Sequence, residues 1–222
     1  MSLVTHPTLT RKEAIWLACK AKSCCYSAIV VPTGRDVWRI ARALDTSPWS
    51  FLVYFQSPPR ARDAFALDQS GQTFRLALSK QRSRRTKTPP PCIFLLRTRD
   101  GAHRCSLGDL RPLVCRTFPS EQVDGVVRLR NDGSCSCRLW ALADVDIEEE
   151  RLALEARQAD AEAYCQVVAH WNAQVAAAPA GARFDFFGYC QFLLDAYDAM
   201  AAAEPSGSED ELDAKSRQGS IS

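Results

Sequence analysis

The sequence predicts a mixed α+β fold: a small, irregular, cysteine-rich core with short strands, surrounded by helices and followed by a C-terminal helical pair. Three observations carry that expectation. Short apolar stretches, Gln72–Leu78, Cys92–Leu96 and Val123–Arg130, are bounded by Gly, Pro, Asn or Asp, as brief strands are. Residues 147–176 and 184–202 repeat apolar side chains every three or four positions, the period of an amphipathic helix. Eight of the ten cysteines fall in three groups among Gly, Pro, Arg and turn residues: Cys19, Cys24 and Cys25; Cys92, Cys105 and Cys115; Cys135 and Cys137.

Thr10-Arg11-Lys12-Glu13 reads as a capping box that opens a first helix, with Ile15, Trp16 and Leu17 on its buried side and Cys19 near its last turn. Tyr26–Val31 reads as a short strand closed by Pro32. Thr33 caps a second helix with Asp36 in its first turn, and Val37, Ile40, Ala41 and Leu44 line one face. Ser47-Pro48 is a further helix-start signal. The segment Trp49–Phe55, the most hydrophobic of the chain, is expected in the core. Gln72–Leu78 alternates as a strand with Phe74, Leu76 and Leu78 on one side.

Residues 80–87 hold five basic side chains ahead of Pro89-Pro90-Pro91, and read as a solvated, mobile loop or a contact for phosphate or another acidic partner. Cys92–Leu96 is expected to be a buried strand, and Arg99-Asp100-Gly101 a hairpin turn whose return begins at His103. Leu107–Leu113 suggests one helical turn ended by Pro112. Val123–Arg130 suggests a strand, followed by a tight turn at Asn131-Asp132-Gly133. The long helix 147–176 should present Leu152, Ala156, Ala159, Ala163, Val167, Trp171 and Val175. The last helix should present Phe187, Cys190, Leu194 and Tyr197. This organisation divides the chain into a cysteine-cluster segment, 9–142, a C-terminal helical extension packed on it, 147–202, and a disordered Ser-, Glu- and Asp-rich tail, 203–222.

Composition narrows the function classes. A net charge of +2 argues for neither nucleic acid nor an anionic membrane surface, and no stretch approaches 18 consecutive apolar residues. The N-terminus lacks a basic region leading into an apolar run, so a cytoplasmic, reducing location is expected, where disulfides rarely persist. Ten cysteines there point to metal ligation or redox chemistry rather than to a disulfide framework. Burial as small hydrophobic side chains suits Cys165 and Cys190 but not the three groups. With three histidines, no phosphate loop and no nucleophile elbow, no catalytic residue is indicated.

Thiolate is the soft ligand that suits zinc and iron–sulfur clusters. The candidate ligands are Cys19, Cys24, Cys25, Cys92, Cys105, Cys115, Cys135 and Cys137, and the partner a metal ion or cluster. They lack the paired Cys-x2-Cys spacing of a zinc ribbon, so the site should assemble only as the chain folds. Adjacent Cys24 and Cys25 diverge in extended backbone and are not expected to share one zinc. Arg111 and Arg116 bracket Cys115 and would offset the negative charge of a thiolate centre, or else pair with Asp109 or Glu121. His103 is an alternative ligand.

The vicinal Cys24-Cys25, together with Cys92-Ile-Phe-Leu, Arg104-Cys105-Ser-Leu and Arg111-Pro-x2-Cys115-Arg-x-Phe118-Pro, resembles the YkgJ-type cysteine cluster family, described as zinc- or iron-chelating domains. Val31-Pro-Thr-Gly-Arg-Asp36-Val-Trp is similar to that family's Pro-Thr-x-x-Asp element. The resemblance spans residues 14–137 and implies Cys24, Cys25, Cys92, Cys105 and Cys115 as the ligand set. The chain departs from the family's Cys-x2-Cys-x2-Cys-Cys in having Ala18 and Ala21 at the two leading positions, with Cys19 alone. A distant likeness to flagellin lysine-N-methylases implies an alternative: an iron–sulfur enzyme modifying a protein or RNA, with loop 80–87 holding substrate.

Overall fold

Thr10 and Glu13 close the first helix on themselves: the Glu13 N–H donates to Thr10 Oγ1 (3.2 Å) and the Thr10 N–H to Glu13 Oε2 (3.1 Å). The computed structural model describes residues 10–19, 22–58, 60–82, 89–99, 101–130, 140–179 and 181–203. Cys135, Cys137, most of the basic segment, the turn expected at 131–133 and the tail after 203 lie outside them.

The architecture is α+β. In chain order it runs α1 (Arg11–Ala18), α2 (Ser23–Tyr26), α3 (Gly34–Ala43), β1 (Leu52–Gln56), β2 (Phe65–Ala66), β3 (Thr73–Leu78), β4 (Leu95–Arg97), β5 (His103–Cys105), α4 (Leu113–Thr117), β6 (Ser120–Val123), β7 (Val126–Leu129), α5 (Ile147–Ala177) and α6 (Phe186–Ala203). Strands β1, β3 and β2 form an antiparallel sheet in that order, with Leu52 opposite Leu78 and Phe65 opposite Phe74. The other strands form two hairpins, β4–β5 and β6–β7.

Several elements differ from expectation for identifiable reasons. Tyr26 ends a helical turn, and the residues after it form no strand. The Lys80 ammonium takes the carbonyls of Cys25, Tyr26 and Ala28 (3.1, 3.2 and 2.8 Å), acceptors a ladder would have needed. Ser47-Pro48 starts only a 3-10 turn, without a side-chain cap, before β1. In Trp49–Phe55, Phe51 and Leu52 are buried, but Trp49 in the 3-10 turn and Val53 and Tyr54 on the edge strand β1 are exposed. Cys92 makes only an isolated bridge to Lys80, and β4 begins at Leu95. Pro112 is the N-cap of α4 rather than the end of a turn; the helical turn before it is Gly108–Leu110. Val123–Arg130 is not one strand. Asp124 (φ 51°) and Gly125 (φ 78°) form a two-residue turn with both φ positive, pairing Val123 with Val126.

The core lies between α3, the three-stranded sheet and the α5–α6 pair. It is aliphatic and aromatic: Val37, Ile40, Leu76, Val168, Tyr189 and Leu193 are among its buried members, and the Phe65 and Tyr189 rings stack at 3.9 Å. Residues 147–202 therefore contribute to the same core as the cysteine segment. On α5 and α6 the exposed Leu152 and Phe187 fall outside the buried stripe, which runs instead through Leu154, Tyr164 and Tyr189. Cys190 is fully buried, as expected of a core thiol. Gly34 lets α3 meet both C-terminal helices: a Cβ there would collide with the Tyr197 ring and stand 2.8 Å from Tyr164. No helix among the described residues is long and apolar enough to cross a membrane.

Candidate metal centre

Four separate pieces of chain bring five cysteines to one cavity. Cys24 and Cys25 come from α2, Cys92 from its bridge to Lys80, Cys105 from the end of β5 and Cys115 from α4. The cavity measures about 180 Å³ and its other walls are largely apolar, including Ile29, Val30, Leu78, Phe94, Leu95 and Phe118. Backbone bonds knit the pieces together. The Cys92 N–H donates to the Cys25 carbonyl (2.7 Å), and the Gln81 amide donates to the carbonyls of Cys92 (3.2 Å) and Leu95 (2.6 Å).

Cys24 and Cys25 do not diverge. They lie on a helical turn, not in extended chain, and their sulfurs are 3.9 Å apart. A tetrahedral zinc with Zn–S near 2.3 Å sets its sulfurs roughly 3.8 Å apart, so this pair has the spacing to share an ion. Among the described residues no three His, Cys, Asp or Glu side chains gather around a single ion position. The five thiols stand around the cavity instead of closing on one point.

Each wall carries its own electrostatics. The hydrogen bond with Cys25 holds the Cys24 thiol down at about 7, aided by Trp16 and by the charge of Lys22. Cys25 is pushed up by Cys24 and by burial. Burial raises Cys92 and Cys105, against a favourable charge from Lys80 and Arg111 respectively. Burial also raises Cys115 strongly, and its neighbours Cys92, Cys105 and Cys24 add to the shift. Four of the five thiols thus sit where thiolate is disfavoured, Cys24 being the exception, and a cation among them would reverse that balance.

Of the two expected arginines, Arg111 lines the cavity and Arg116 does not. Arg111 pairs with Glu13 (3.3 Å) rather than Asp109, donates to the Gly108 carbonyl and stacks over Trp16. Arg116 is exposed and lines a neighbouring cavity of about 220 Å³ that shares Cys115. Glu121 pairs with Arg130, itself a wall of the thiol cavity. Cys19 is buried at the C-cap of α1 and is not among the lining residues. His103 hydrogen-bonds Tyr26 (3.2 Å) and also stays outside. All eight described cysteines are free thiols.

Several supporting residues escaped the sequence reading. Lys22 is 1% exposed, with its ammonium on the Trp16 and Leu17 carbonyls and 4.0 Å over the Trp16 ring. Lys80, the first residue of the basic segment, is spent on holding α2. Asp36 is the residue whose signal was present: beyond capping α3, its Oδ1 accepts the Leu113 N–H (3.1 Å) and so seats the helix that carries Cys115. No family model matches this chain, and no curated protein and no solved structure matches it.

Proposed function

We propose that this protein binds a thiolate-ligated metal centre in a reducing, cytoplasmic setting, with Cys24, Cys25, Cys92, Cys105 and Cys115 as its ligand set. The observation that carries the reading is the convergence of five free thiols, from four chain segments, on one apolar cavity. Size favours an iron–sulfur cluster over a single zinc: about 180 Å³ is several times the roughly 30 Å³ share of one water, whereas both centres take four thiolates. Lys22, Lys80 and Arg111 supply the positive charge that an anionic thiolate cluster calls for. Such a centre supplies redox capacity or a structural cross-link; the chain's own residues orient the sulfurs and keep bulk water from them. Cys135 and Cys137, which lie outside the described residues, remain candidate ligands.

Metal and acid-labile sulfide, measured on untagged protein purified without oxygen, test this. Iron with sulfide and a visible absorption bleached by dithionite is the expected result, reduced in Cys115→Ser and unchanged in Cys190→Ser. Stoichiometric zinc without colour would replace the cluster with zinc sites. Absence of any metal, or equal loss in both variants, would overturn the site.

A further inference from the structure

Strand β1 has one bonded side and one open side. It lies at the edge of its sheet and pairs only with β3. The Ser79 N–H donates to the Phe51 carbonyl and the Ser57 N–H to the Thr73 carbonyl, so Phe51, Val53, Phe55 and Ser57 turn their peptide groups towards β3. Those of Leu52, Tyr54 and Gln56 then point away from it. Leu52 is 3% exposed, whereas Tyr54 and Gln56 are open to solvent, which makes these two the accessible edge.

Natural edge strands are blunted by charge, proline or a covering element. No charge guards this one: from Thr46 to Pro59, 14 consecutive residues are uncharged. An aromatic ledge runs beside the edge. Trp49 meets Phe187 (5.2 Å), Phe187 meets Phe186 (6.5 Å) and Phe186 meets Tyr54 (4.8 Å). Trp49, Tyr54 and Phe187 are 39, 43 and 55% exposed. The charges that bound the stretch, Asp45 and Arg60, are exposed as well. Elsewhere the chain pairs its charges internally. Residues 1–140 carry 23 Lys and Arg against 10 Asp and Glu, and residues 141–222 carry 5 against 16. The two parts are joined by Arg11–Asp144, Lys12–Glu150, Arg35–Asp160, Arg42–Asp198 and Arg62–Glu162. Asp45 and Arg60 make no ion pair among the described residues.

We infer that β1 is a dimerisation edge whose partner is a second copy of this chain, added antiparallel about a two-fold axis at Phe55. A two-fold axis makes a strand its own antiparallel partner, so no second surface is needed. With the axis at Phe55, Tyr54 lies opposite Gln56 of the second copy, and the two such pairs exchange four backbone bonds. Buried Leu52 at one end and Pro58, which has no N–H, at the other stop a longer ladder. The same axis turns the Asp45 end of each copy towards the Arg60 end of the other, so opposite charges approach. A foreign strand is the competing occupant; the match of edge groups and end charges to themselves favours the second copy. At about 200 Å² per aromatic side chain, the exposed parts of the three rings come to about 550 Å² over both copies. Specific interfaces begin near ~1,200 Å², so this dimer is weak and depends on concentration. None of these residues lines the thiol cavity, and the inference stands independently of the metal centre.

Sedimentation equilibrium of the full chain, with reductant and without oxygen, tests it. The apparent mass should rise from one copy towards two with concentration, and amide exchange at Tyr54 and Gln56 should slow in step. Gln56→Lys/Phe187→Lys puts a cation on the edge and takes a ring from the ledge, both at exposed positions, and should weaken association about tenfold or more. Leu152→Lys, at an exposed leucine on α5, should leave it unchanged. A monomer at every concentration, growth beyond two copies, undiminished association of the double variant, or an equal effect of Leu152→Lys would overturn the inference. Unchanged circular dichroism and metal content in the double variant separate loss of this edge from loss of the fold or the thiol site. Should that variant fail to fold, the exchange pattern of the wild type decides alone: slowing confined to other segments overturns the edge.

Discussion

Asp36 is the residue on which two helices and one cysteine depend. It is 1% exposed, and burial lifts its carboxyl above the usual range even though it accepts backbone hydrogen bonds from Thr33 and Leu113. An Asn at this position keeps the shape but turns a donor towards an N–H. Asp36→Asn should therefore cost about 1–3 kcal/mol of stability in urea titration. It should also lower bound metal, because α4 loses the bond that seats Cys115. Leu113→Met, a volume-conserving change on α4, should cost less than about 1.5 kcal/mol and leave metal content intact. Equal metal loss in the two variants would show that Asp36 matters only through general stability. The capping box at Thr33-x-x-Asp36 was readable from the chain; the second bond, to a residue 77 positions away, was not, because nothing local in the sequence encodes it.

At the scale of elements, short pieces are held by side chains reaching across the chain. α2 is four residues long, below any length that is stable alone, and its last carbonyls end on the Lys80 ammonium. Lys80→Met leaves three carbonyls without that donor. It should destabilise the protein by about 1–3 kcal/mol and raise hydrogen exchange in α2 before the core helices. α3 meets α5 and α6 over Gly34, and Gly34→Ala drives a methyl into Tyr197 and Tyr164. A melting experiment should show a loss of at least about 1–3 kcal/mol, the range for an overpacked core. The two long helices, the first capping boxes, β3 and the β4–β5 hairpin were legible because period, caps and turn residues are local signals. The early strand after Tyr26 and the strand at Cys92 were misread for one reason: Lys80 and Gln81 take or redirect the backbone groups. The buried stripe of α5 shifted to Leu154 because Leu152 has nothing to pack against, a property of the assembled fold. Among the five cavity cysteines, membership was legible from clustering, whereas the approach of Cys24 to Cys25 needed a helical turn the sequence reading had drawn as extended.

Taken whole, the molecule is a basic body gripped by acidic helices. Most of the pairs between them are exposed and contribute about 0–1 kcal/mol each, so apolar burial holds the interface and charge selects its register. Lys12–Glu150 is the exception, with both side chains largely buried (2.6 Å). Glu150→Ala strands the ammonium and should cost about 3–5 kcal/mol, which calorimetry at neutral pH will register as a lowered Tm. The pH dependence has a definite sign at Asp198, whose carboxyl is held below the usual range by Arg42 and then by the Trp38 indole N–H. A depressed carboxyl contributes stability above its unfolded value, near about 3.9, and loses it as pH falls through the folded value. The stability gap between wild type and Asp198→Asn should therefore be constant near neutrality and close only below about pH 4. A gap that widens with acid would contradict the pairing.

The thiol cavity draws its first two sulfurs from α2 and its last from α4, yet α4 and α3 are seated against α5, which is synthesised afterwards. At ~5–20 residues per second, roughly 7–30 s separate the appearance of Cys24 at the ribosome from that of Trp171. During that interval the vicinal thiols have no finished wall around them and are open to oxidants and stray metal. On the proposed reading, metal loading would accordingly be a post-synthetic event. A chain that ends before α5 should emerge with reactive cysteines and no metal, however intact its ligand set.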